Sequence, residues 1–518
     1  MPARVLVIGL DAAEATLLEK WAAEGHLPNI ARLAREGAVG RLDNPMETLP
    51  GAIWPEICSG RSGGKAGRFY HPEQIHTGET MLRRIEHDDV DATDNYWSAA
   101  SRAGRRVCVI DQVQSALNTD LNGVQVLEWG LHDRTFDERS HPPALLEEIH
   151  ARYGRHPVRR CDSYGDDDNR RQALLDDLSK GASQKQALVL DLMGREQWDL
   201  FTCTLSESHC VGHHFWHGQE AGPPGHGPDI PEAHRHAMRT IYQRLDETTG
   251  KLIEAAGPGC TVLVIASHGM GPSHAGCHLL PEILARLGMG SDRGRSASGV
   301  VRRFQYWVKN ALPYSWLPAL RTFSRWGPVR AMQGRAGALR FPLESDLVRA
   351  VAVPNNRVGA IRLNLKGREP FGAVQPGAEA ETLIAELRRE LLKLEDPETG
   401  EPIVERVMTA DEEFGPDHHP DVPDIMVLFR TGHGAVEACR SERVGLIEVP
   451  YFSRRVHRSG DHSVESRLWA TGPGIPSGFR LARAHVLDIA PTVLGLLDVP
   501  LPENLDGRPM TLGGAEGG

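Results

Sequence analysis

The sequence predicts an α/β protein with a mostly parallel central sheet, helices on both faces and an inserted subdomain. Three observations carry this. Short apolar, β-branched-rich runs recur through the N-terminal half, such as VLVIGL at 5–10 and TVLVIA at 261–266. Stretches with a helical period separate them, and strands apolar on both faces belong to parallel sheets covered by helices. Several runs end in a residue of metal-ligand type, and ligands of such sheets bind beyond the carboxyl ends of the strands.

Taken in order, Val5–Leu10 predicts a first strand, and EATLLEKWAAEG after it a helix. Pro28 to Leu42 reads as a second helix turning into a strand. Arg106–Ile110, Gln197–Leu205 and Thr261–Ala266 are further strands, with a helix over Ile241–Ala256. The character changes at 291–349: residues 293–340 hold ten Arg or Lys, no Asp or Glu, and Trp307, Trp316 and Trp326. Three readings stay open for this insertion: a solvated structural excursion, a lid over an anionic substrate, or a lipid-facing patch. Beyond it, 350–372 predicts strands and a hairpin, Ala378–Leu394 a helix, Asp424–Phe429 and Leu468–Gly472 strands, and HVLDIAPTVLGLLDV a closing helix. The expected division is therefore a discontinuous core over 1–290 and 350–512, the insertion over 291–349, and a flexible tail at 513–518.

Composition narrows the function. The 518 residues are 40% hydrophobic and 25% charged, as in an ordinary soluble protein. A net charge of −11 argues against binding a nucleic-acid polymer. No apolar run is long enough to span a membrane, and Asp11 follows the first apolar run at once, so that run reads as a core strand rather than a signal peptide. Eight cysteines without a CxxC pair fit buried thiols in a reducing compartment, which predicts a cytoplasmic location. Homo-oligomerisation is compatible with all of this.

The 24 histidines cluster over 209–236 and recur near 268 and 462. Asp11 follows the first strand, where a carboxylate can bind metal or cap the next helix. In Glu207-Ser-His209-Cys-Val-Gly-His213, residues 209 and 213 share one face if the stretch is helical, good geometry for one ion. His268 follows a strand and precedes Gly269, and His462 follows Gly460-Asp461. Each alone has a bland reading, but together they suggest one site assembled from distant segments. Thr48, in METLPGAIWPEICSG, offers a hydroxyl near an expected helix N-cap, where the plain reading is a cap and the functional one a nucleophile near an anion site.

These residues, in this order, resemble the alkaline phosphatase superfamily, and within it the type I phosphodiesterase/nucleotide pyrophosphatase branch. The resemblance runs through VLVIGLDAAE, ETLPGAIWPEICSGRSGGKAG, HCVGHHFWH, VLVIASHGMGP, RSGDHS and DIAPTVLGLLDVPLPENLDGRPM. It implies a hydrolase acting on small phosphodiesters or phosphomonoesters through two divalent metal ions, zinc first, with manganese, iron or magnesium as alternatives. It implies Thr48 as nucleophile and metal ligand, Asp11 and His268 as ligands on the nucleophile side, and His209, His213 and His462 as ligands on the other, with Glu207 supplying charge. Two positions depart from the family pattern: His209 and Ser267 stand where it has aspartate. A metal-binding module without strong catalysis and a phosphoryl-group transferase are the rival readings.

Overall fold

The computed structural model describes residues 4–69, 73, 74, 76–78, 83–132, 134, 136–165, 167–219, 230–273, 276–290, 347–353, 355, 357–430, 436–449 and 458–513. The basic, tryptophan-bearing segment and the last five residues of the tail lie outside them. Two compact units separate: Met1–Arg68 with Ile85–His274 and Val456–Gly518, and Phe69–Arg84 with Ala275–Arg455.

The first unit is built on a ten-stranded sheet. Its strands are β1 (Arg4–Leu10), β2 (Ala38–Asp43), β3 (Val107–Ile110), β4 (Gly123–Leu127), β5 (Arg139–His141), β6 (Leu200–Leu205) and β7 (Cys260–Ala266). A short ribbon pairs β8 (Gly269–Pro272) with β9 (Gly460–Ser463), and β10 (Arg467–Thr471), β11 (Phe479–Arg480) and β12 (Ala484–His485) return to the sheet. The order is β11-β2-β10-β7-β1-β6-β3-β4-β5, with β12 also on β2. The run β7-β1-β6-β3-β4 is parallel throughout, whereas β10 is antiparallel to both neighbours and β5 antiparallel to β4.

Strand alternation explains the two-sided core. Leu6, Ile8 and Leu10 enter one apolar cluster, and Val5 and Val7 enter another on the opposite face. The first face is covered by α1 (Ala15–Ala23), α2 (Pro28–Glu36), the 28-residue α4 (Asp168–Arg195), α5 (Glu207–Phe215) and α6 (Ala237–Ala256). The second is covered by α3 (Ile53–Ser59) and α7 (Ile489–Leu496). Each fully buried aliphatic side chain here contributes about 1.5–3 kcal/mol.

The second unit has its own four-stranded antiparallel sheet, ordered Ala350–Val353, Val358–Leu363, Ile425–Phe429, Val404–Thr409. The helix Ala378–Leu391 packs in its apolar core through Leu383, Leu387 and Leu391. The boundary therefore differs from the expected one: Phe69–Arg84 and Ala275–Arg455 leave the main core, because the strands after 350 pair with one another and bury their own apolar face against residues such as Leu280 and Ile283. Among the described residues, no helix is long and apolar enough to cross a membrane.

Candidate metal centre

The centre lies in the first unit, at the carboxyl ends of β1, β6 and β7. β1 delivers Asp11, whose amide donates to Leu205 O at the end of β6 (3.0 Å). Ala12 then takes a left-handed φ of 51°, a conformation that costs a non-glycine residue about 1–2 kcal/mol. Asp11 is 2% exposed, and both its oxygens are engaged: Trp54 Nε1 donates to Oδ1 at 2.8 Å, and His209 Nδ1 lies 2.7 Å from Oδ2. Burial pushes the Asp11 carboxyl up. The charge and hydrogen bond of His209, the charge of His268 and the indole of Trp54 outweigh it and hold the group at about 2. The indole reaches Asp11 by crossing Gly9, where any Cβ would meet the Trp54 ring at 2.4 Å.

β6 runs directly into α5, all nine of whose residues are buried. Ser208 Oγ donates to Asp11 O at 2.6 Å and fixes the helix start. His209 and His213, one turn apart, present Nε2 atoms 3.1 Å from each other, and His462 Nε2 lies 2.8 Å from that of His209. His462 comes from β9, whose register sets it opposite Met270 on β8. The ribbon is tied to the start of α1 by Glu14, which accepts from Met270 N and Ser463 Oγ, each at 2.9 Å.

The outer nitrogens define the tautomers. His213 Nδ1 lies 2.8 Å from Gly460 O, an acceptor only, so Nδ1 carries the proton and Nε2 the lone pair. Asp11 does the same for His209, a carboxylate–histidine arrangement that fixes ring orientation in metal sites. The Nε2 separations of 2.8 and 3.1 Å come close to the roughly 3.3 Å edge of a tetrahedron with metal–nitrogen bonds of about 2.0–2.1 Å. His209 and His213 form one close ligand group with His132, and His462 approaches the same His209 Nε2 atom.

His268 joins His209 and His462 in a second close group, and its Nδ1 lies 3.0 Å from Ser267 Oγ. For a second ion this side offers less: both Asp11 oxygens already face N–H groups, and Ser267 brings a hydroxyl. Thr48 is buried in the turn before α3, its amide donating to Pro45 O at 3.1 Å. It is not a helix cap, because the N-cap of α3 is Ala52. Glu207 is turned elsewhere, its Oε1 3.3 Å from His156 Nε2. Residues two apart on a helix point about 200° apart, so Glu207 cannot share the face of His209.

Sequence reasoning passed over Trp54, Glu14 and Arg458. Arg458 Nη1 lies 3.3 Å from His213 Nε2, and its guanidinium forms an ion pair with Asp162. Burial, then the Arg458 charge and the neighbouring histidines, drive the His213 pKa well below the usual range. His132 stacks on His209 with ring centroids 3.9 Å apart and planes at 21°. Its segment is anchored by Asp111, which accepts from Trp129 N and Gly130 N at 2.7 and 2.8 Å and pairs with the buried Lys185. No local signal marks these partners, since each depends on a strand or helix far away in sequence.

Residues 5–463 match the family model described as type I phosphodiesterase/nucleotide pyrophosphatase. A search of the curated proteins gives no match. Among solved structures, the chain is similar to murine ectonucleotide pyrophosphatase/phosphodiesterase 5, with a TM-score of 0.50, 12% identity and 97% of each chain covered. It is also similar to phosphonoacetate hydrolase from Sinorhizobium meliloti 1021 in complex with phosphonoformate, with a TM-score of 0.50, 13% identity and 96% of each chain covered. At these identities the likeness is one of fold.

Proposed function

We propose that this chain, which belongs to the type I phosphodiesterase/nucleotide pyrophosphatase family, hydrolyses small phosphodiesters or phosphomonoesters at the histidine cluster with Thr48 as nucleophile. Membership makes it an α/β hydrolase of phosphoric esters in the alkaline phosphatase superfamily, dependent on divalent metal. The approach of the His213 and His462 Nε2 atoms to that of His209 is the observation that carries the finer reading.

A divalent ion on these nitrogens, zinc by its preference for imidazole, would supply Lewis acidity toward a phosphoryl oxygen. Around it, the chain's own residues do the positioning. Asp11 and Gly460 O hold two of the rings in the metal-binding tautomer. Arg458, anchored by Asp162, places a positive charge beside the cluster, suited to an anionic ester. Thr48 would form the new bond to phosphorus as the leaving-group oxygen departs, and water would then cleave the phosphothreonine. Asp11, Thr48 and His268 are the residues left for a second ion on the nucleophile side. The eight free, buried cysteines support a reducing, cytoplasmic setting.

The test is elemental analysis of wild type, His213→Ala and Thr48→Ala, with turnover of a nitrophenyl phosphodiester on the same preparations. Metal lost in His213→Ala, and turnover lost in Thr48→Ala with metal kept, is the expected pattern. Full turnover in Thr48→Ala would remove the nucleophile assignment, and full metal content in His213→Ala would remove the site.

A further inference from the structure

Beside the histidine cluster lies a second convergence of donors that phosphoester hydrolysis does not use. His132 Nδ1 lies 3.0 Å from Cys210 Sγ and 3.4 Å from Cys161 Sγ, and the three atoms all fall within 4.8 Å of one another. They come from three distant segments: the loop after β4, the 3-10 turn Cys161–Ser163, and α5. We propose that His132, Cys161 and Cys210 form a separate site for a soft divalent ion, zinc by its chemistry.

Geometry and charge support this. Zinc–sulfur bonds of about 2.3 Å and zinc–nitrogen bonds of about 2.0–2.1 Å give a tetrahedral sulfur–nitrogen edge of roughly 3.6 Å. The observed 3.0 and 3.4 Å need to open by only a few tenths. Two thiolates and a neutral imidazole exactly balance a divalent cation, so the loaded site is neutral where all three residues are at most 8% exposed. Binding releases the two thiol protons. A fourth donor is at hand: His214 and Asp162 form a close group with Cys161, and His214 lies one turn from Cys210 on α5.

The bland account of a buried cysteine is a small hydrophobe, and the other thiols behave that way. Cys260 Sγ reaches Thr261 O at 3.6 Å, Cys58 Sγ reaches Gln112 Oε1 at 3.9 Å, and Cys277 Sγ reaches Asn355 O at 2.6 Å. Among the described residues, only Cys161 and Cys210 join a group of three possible ligands. An ion here ties the His132 loop and the Cys161 turn to α5. It thereby fixes the ring stacked on His209, so the site holds the histidine cluster in place without contacting substrate.

Zinc X-ray absorption on the reduced, full-length protein, loaded with zinc and counted for metal, tests the site without a variant. The expected result is sulfur scattering at about 2.3 Å beside the nitrogen shell. In cobalt-substituted protein, a thiolate-to-cobalt charge-transfer band should persist in His213→Ala and vanish in Cys161→Ser/Cys210→Ser, which should lose one equivalent of metal. Because the His213→Ala arm reads the histidine cluster separately, failure of the thiol site and failure of the hydrolase reading are distinguishable. Zinc bound through nitrogen and oxygen alone, no zinc bound at all, or a Cys161–Cys210 disulfide persisting in reductant would each overturn the proposal.

Discussion

Glu56→Gln should make the protein more resistant to alkaline unfolding. Glu56 sits on α3, the helix whose Trp54 holds Asp11, and is 2% exposed. Its Oε1 accepts from Gly63 N at 2.8 Å. Burial is the dominant influence and raises the carboxyl; the Gly63 hydrogen bond lowers it, the charge of Asp506 raises it further, and the group is pushed from 4.5 up to about 8. Between those two values the native chain keeps a proton that the unfolded chain releases. The stability associated with this proton is fully present below pH 4.5 and is lost as pH rises through 8. At 1.36 kcal/mol per pH unit, the whole loss is about 5 kcal/mol. Glutamine retains an acceptor for Gly63 and cannot ionise. Urea unfolding of both proteins, followed by tryptophan fluorescence at several pH values, should show the stability difference between variant and wild type growing by several kcal/mol from pH 4.5 to 8. A difference that stays flat across that window would refute the reasoning, because a carboxyl solvated in the native state gives no such slope.

Asp11→Asn removes the charge that orients His209 and should weaken metal affinity by about 10–100-fold, roughly 1.4–2.7 kcal/mol, read by competition with a chelator; unchanged affinity would show that Asp11 does not act through His209. Gly460→Ala should lower affinity with every ligand intact, since the new Cβ would sit 2.2 Å from Gly212 O and must push β9, and His462 with it, off α5. Equal affinity in that variant would mean the ribbon tolerates the shift. Arg458→Ala should raise KM for an anionic ester by about tenfold, the worth of one charge-assisted hydrogen bond, with little change in kcat; an unaltered KM would remove Arg458 from substrate binding. Chelation should abolish turnover, and added zinc should restore it, in a nitrophenyl ester assay.

Part of the site was legible because its signals are local. His209 and His213 sit one turn apart, so helical spacing alone aligned them. Asp11 and His268 follow apolar runs that could only be buried strands, which put them at the sheet's carboxyl edge. The ligand-like Glu207 was drawn in by proximity along the chain, and the helix then turned it toward His156. The plain reading of Thr48 as a helix cap fails, because the helix begins after Ala52 and the turn at 46–48 closes on Pro45 first.

The sequence by itself determined the strand and helix alternation, the mostly parallel sheet and the residue types able to hold a metal, because periodicity and burial act over a few residues. Tertiary structure alone decided the antiparallel insertion of β10, the separate core of the second unit, the pairing of Asp11 with His209 and Trp54, and the meeting of His132 with Cys161 and Cys210. Each of those depends on which segments, tens to hundreds of residues apart, become neighbours, and no local pattern encodes that choice.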